Sequence, residues 1–127
     1  MKTFSIKDPV YGAGIFVFAD ATAHDLDKWA TKNIGRSMFP PEWKCKAGGV
    51  MTLISESAGS TLFIVWFKEK SPDIQTIVHE AFHLASMVLQ NAGVEFDDAN
   101  QEAYAYYLDF LTGCLLRKLP TDKIGVE

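Results

Sequence analysis

The chain has 127 residues, of which 48% are hydrophobic, 13% aromatic and 22% charged. This is the make-up of one globular domain with a core of its own, and it excludes a disordered segment. A formal charge of −4 with no basic stripe argues against a nucleic-acid partner, and the longest apolar runs, 14–19 and 62–67, are too short to span a bilayer as helices.

The opening residues carry no apolar signal core, because Lys7, Asp8 and Pro9 interrupt them; a cytoplasmic protein is expected. Residues 3–6 and 14–19 read as two short strands around a turn at 8–14. Thr22 followed by Asp25 resembles a capping box, and Leu26, Trp29 and Ala30 keep helical spacing up to Gly35. Residues 36–49, with Pro40, Pro41, Gly48 and Gly49, read as a loop.

Residues 50–55 and 61–67, separated by Glu-Ser-Ala-Gly-Ser, predict a β-hairpin. The second arm is apolar on both faces and reads as an inner strand; the first mixes Thr52 and Ser55 with apolar residues and reads as the exposed edge. Ser71-Pro72 predicts a helix start, with Ser71 as N-cap. Ile74, Val78, Ala81, Phe82, Ala85, Val88 and Leu89 trace its expected apolar face, and Gly93 ends it. A second start at Asp98, with Gln101 three residues on, leads into a helix over 100–118, stopped by Pro120. The order ββαββαα predicts an α+β fold: a small, mostly antiparallel sheet with its helices on one side. Cys45 and Cys114 belong to no Cys-x-x-Cys pair and read as reduced thiols in or near the core. Trp29, Trp43 and Trp66 read as packing residues.

Within the first of these two helices stands His79-Glu80-Ala81-Phe82-His83. Residues four apart on a helix point the same way, so His79 and His83 can converge on one metal ion. Glu80 lies about 100° around the helix, within reach of a water at that ion. Glu102 follows His83 by 19 positions, in Gln101-Glu102-Ala103, with enough chain between them to finish a helix, turn and return. Two imidazoles and a carboxylate form a three-ligand set that leaves one tetrahedral position for water, the layout of a catalytic zinc.

Residues 50–113 resemble the gluzincin zinc metallopeptidases, whose signature is His-Glu-x-x-His with a glutamate ligand about twenty residues later. The likeness is to the smallest, single-domain members. The resemblance implies one zinc per chain held by His79, His83 and Glu102, with Glu80 as general base, and a peptide or protein substrate added as a strand along 50–55. The chain departs from the pattern at Tyr106, where larger relatives often carry an aspartate that steadies a ligand histidine; Tyr106 or Asp109, one turn further, can take that part. Little chain follows Lys118, so the donor for the oxyanion falls to Tyr104, Tyr106, Tyr107 or a partner chain.

Competing readings are plainer. The two histidines and Glu80 can be ordinary surface residues, and Glu102 can serve the helix dipole. His24 reads as an ordinary polar group. Glu95, Asp97 and Asp98 lack the calcium-loop layout and read as caps. The functional alternative is a zinc-bearing regulatory or interaction module that hydrolyses nothing. The residues fix no oligomeric state.

Overall fold

The computed structural model of the chain describes residues 1–37, 39–55 and 60–120. Its sheet is organised by the run expected to be an inner strand. Four strands, β1 (Lys2–Lys7), β2 (Gly14–Ala19), β3 (Gly48–Ser55) and β4 (Ser60–Phe67), pair in the order β1-β2-β4-β3. The β1–β2 and β3–β4 pairs are antiparallel, while β2 and β4 run parallel, with Val17 opposite Val65. The fold is therefore α+β with a mostly antiparallel sheet. The connection between β3 and β4 at 56–59, expected to be a hairpin turn, lies outside the described residues.

Successive residues of a strand face opposite sides of the sheet. In β4, Phe63, Val65 and Phe67 face one side and Ile64 and Trp66 the other, and all five are buried. Two apolar faces require two covers. Helices α2 (Ile74–Asn91) and α3 (Gln101–Lys118) cover the first, which Ile15 and Val17 of β2 extend. Helix α1 (Ala23–Asn33) and a short 3₁₀ helix at Pro41–Cys45 cover the second, through Leu26, Ala30 and Trp43. The expectation that the helices share one side is thus corrected. It overlooked the demand of the second apolar face, which the 36–49 segment helps to meet: Trp43 stacks on Trp66 with ring centroids 5.1 Å apart. No helix among the described residues is long and apolar enough to cross a membrane.

Local signals place the helices to within a few residues. Thr22 and Asp25 form the capping box of α1. Helix α2 starts two residues later than Ser71 implies: Asp73 is the N-cap and accepts the Thr76 N–H at 2.7 Å. Asp97 caps a turn at Asp98–Asn100 that leads into α3, and Gln101 Nε2 donates to Asp98 Oδ1. The buried stripe of α2 is Ile77, Ala81, Leu84, Ala85, Val88 and Leu89, while Val78 and Phe82 are 41% and 39% exposed. The buried face keeps Ala81, Ala85, Val88 and Leu89 of the expected one and takes Ile77 and Leu84 in place of Val78 and Phe82, a rotation of less than the 100° of one residue. The sequence holds two overlapping apolar stripes, and packing on the sheet selects one. Phe82 rests instead against Phe96, 6.0 Å away between ring centroids. Both cysteines are free thiols; Cys114 is half-buried, but Cys45 is exposed at the end of the 3₁₀ helix, outside the core.

One buried carboxylate ties the β1–β2 turn to α3. Asp8 accepts the N–H groups of Val10, Tyr11 and Ala13 and the hydroxyl of Tyr107, the last at 2.9 Å. Burial pushes the Asp8 carboxyl up, but these four hydrogen bonds outweigh it and leave its pKa below the usual aspartate value. A depressed pKa stabilises the fold above the unfolded-state value, and that contribution disappears as pH falls through the folded-state value. Asp8→Ala should cost about 1.5–3 kcal/mol at pH 7. In urea titrations the gap between wild type and variant should close below about pH 4, the unfolded aspartate value. A gap independent of pH would show that the charge plays no part.

Candidate metal centre

Helix α2 follows β4 after a short connection, so its inward stripe lies back across the sheet beside the edge strand β3. This brings His79, Glu80 and His83 to one end of the groove between helix and strand. One ligand atom from each lies within 4.8 Å of the others, and among the described residues no other group of three histidine, cysteine or acidic side chains gathers in this way. The two imidazole Nε2 atoms stand 3.2 Å apart. Two nitrogens bound at about 2.0–2.1 Å to one tetrahedral zinc are separated by about 3.3–3.4 Å, so the pair fits a shared ion. Without metal, the same spacing is a hydrogen bond between the rings, whose proton a metal displaces.

The environment of Glu80 differs from that of its neighbours. Both histidines are exposed, whereas Glu80 retains only 7% of its accessible surface. Burial pushes its carboxyl above the ordinary glutamate range, and the charges of His79, His83 and Lys46 offset part of that rise. A carboxyl whose affinity for a proton is raised by burial, in a partly dry site, suits a group that takes up and returns a proton.

A cavity of about 450 Å³ opens over the group, lined by Trp43, Lys46, Ala47, Gly48, Gly49 and Val50 on one side and by Thr76, His79, Glu80, His83 and Met87 on the other. The outer edge of β3 borders it and has no strand partner among the described residues. Two glycines allow this closeness. A Cβ on Gly48 would stand 2.8 Å from the Trp66 carbonyl and 3.2 Å from Glu80 Oε2; one on Gly49 would meet the Trp43 indole at 2.6 Å. The pair, read from sequence as part of a loop, begins the edge strand and leaves room for the glutamate.

The remaining candidates fall elsewhere. Glu102 is exposed in the first turn of α3 and stands outside the group of converging ligand atoms. Tyr106 is 71% exposed and Asp109 is also exposed; neither lines the cavity. Their positions share a cause. Helix α3 buries Tyr104, Tyr107, Leu111 and Leu115, and residues 102, 106 and 109 recur on another side of the same helix. Tyr104 and Tyr107 have partners away from the site: their hydroxyls donate to the Val94 carbonyl and to Asp8. His24 lies at the start of α1 and does not line this cavity. Lys46 was missed in the sequence, where a lysine in a loop carries no spacing signal.

Gly48→Ala should lower stability by about 1–3 kcal/mol, because its methyl meets backbone on one side and the glutamate on the other. Chemical denaturation measures this, and an unchanged midpoint would show that strand and helix are not in close register. No protein-family model matches the chain, and no curated protein or solved structure matches it either.

Proposed function

We propose that the chain is a zinc-dependent hydrolase of peptide bonds, with His79 and His83 as zinc ligands and Glu80 as general base. The observation that carries this reading is the convergence of two imidazoles and a buried carboxylate in a cavity bordered by the edge strand of the sheet. A zinc ion held there would supply a Lewis acid and lower the pKa of a nearby water to about 7. Glu80 takes the proton of the attacking water as its oxygen adds to the peptide carbonyl, and delivers the proton to the leaving amine as the C–N bond breaks. The backbone N–H and C=O groups along β3 bind an extended peptide as an added strand, which orients the scissile bond without demanding a particular side chain. Glu102 is the third protein ligand implied by the resemblance.

One observation favours a second reading. The carboxylate that gathers with the imidazoles is that of Glu80, not Glu102. A zinc held by His79, Glu80 and His83 has spent its base as a ligand, and suits a binding or regulatory module.

Glu80→Gln separates the two. As base, its loss leaves about one zinc per chain bound and lowers cleavage of a peptide library by about 10²–10⁴-fold. As ligand, its loss releases the zinc. His79→Ala and His83→Ala should weaken zinc retention by more than the roughly 10–100-fold that follows loss of an outer-sphere partner. Glu102→Ala should do the same if Glu102 is the third ligand; zinc retention unchanged in this variant rejects it. Wild-type protein that binds no zinc on titration overturns both readings.

A further inference from the structure

We propose that Lys46 is the anion-stabilising residue of this site, its ammonium donating to the carbonyl oxygen that gains charge during cleavage. This assignment rests on the hydrolytic reading above and adds a residue to it. Lys46 is exposed at the rim of the cavity, and it is the one lysine or arginine among the described residues that line it. Its charge acts on Glu80 across that space.

The backbone that carries it is held on both sides. The Lys46 N–H donates to the Trp43 carbonyl at 3.1 Å, and the Ala47 carbonyl accepts the Lys68 N–H at 2.9 Å. Trp43 is itself buried and stacked on Trp66. A flexible four-carbon stem therefore leaves from a fixed point at the cavity mouth, and a bound substrate can order it.

The chemistry requires such a donor. When water oxygen bonds to the carbonyl carbon, the C=O π pair moves onto the carbonyl oxygen. When that pair returns, the C–N bond breaks, and the amine leaves with the proton that Glu80 carried; water and amide become acid and amine. Charge on the oxygen is greatest between these events, and a cation facing it acts on the barrier more than on binding. The tyrosines do not meet this need: Tyr104 and Tyr107 donate elsewhere, and Tyr106 is off the cavity.

Lys46→Met and Lys46→Arg in the zinc-loaded chain test the assignment, with inorganic phosphate as a tetrahedral oxyanion probe. Lys46→Met should leave zinc affinity unchanged, weaken phosphate binding by about tenfold or more, and lower kcat by about 10²-fold with KM little altered. Lys46→Arg, which keeps the charge, should recover part of both losses. Phosphate affinity and kcat unchanged in Lys46→Met overturn the assignment and leave the hydrolytic reading in place. Phosphate binding that depends on Lys46, in a zinc-loaded protein that cleaves no peptide, supports the anion site and sinks the peptidase reading instead.

Discussion

Strand β4 is apolar on both faces, and most of the architecture follows from keeping water away from both. Phe63, Val65 and Phe67 on one face and Ile64 and Trp66 on the other are at most 2% exposed. Each large side chain removed from water stabilises the fold by about 1.5–3 kcal/mol, so leaving either face bare costs more than a small domain can lose. One face draws in α1 and the 3₁₀ helix of Trp43; the other draws in α2 and α3. Because α2 follows β4 directly, its choice of buried stripe also sets where its polar residues emerge. The cluster of His79, Glu80 and His83 lies at the border between that stripe and the solvent.

Glu80 is the one place where the core of α2 works against itself. Its neighbours along the buried face are Ile77, Ala81 and Leu84, and a carboxylate among them loses solvation that an alanine or leucine does not need. Two imidazoles and the Lys46 ammonium supply opposing charge. A helix built only to pack has no use for this arrangement, and such local conflicts concentrate where a protein binds or reacts. Gly48 completes it, since no other residue leaves space for the glutamate below the Trp66 carbonyl.

What could be read from residues alone was whatever depends on near neighbours. The capping box of Thr22 and Asp25, the inner character of 62–67 and the edge character of 50–55 all rest on contacts or alternations within a few positions, and the structure has them. The pairing of His79 with His83 is of this kind: a helix puts residues four apart on one side whatever surrounds it. The start of α2 was misplaced because Ser71, Pro72 and Asp73 all favour a helix start, and only the hydrogen bond to Thr76 singles out Asp73.

The azimuth of each long helix was not legible. Val78 and Phe82 compete with Ile77 and Leu84 for the core, and each pair continues the shared Ala81, Ala85 and Val88. In α3, the burial of Tyr104 and Tyr107 decides that Glu102, Tyr106 and Asp109 lie on another side. Local sequence therefore determined the paired histidines, the acid beside them and the elements that carry them. Tertiary structure decided that Glu80 is buried, that Glu102 stands apart and that Lys46 and two glycines border the cavity. Helical periodicity is a property of adjacent turns, whereas rotation about a helix axis is set by side chains on strands far away in sequence.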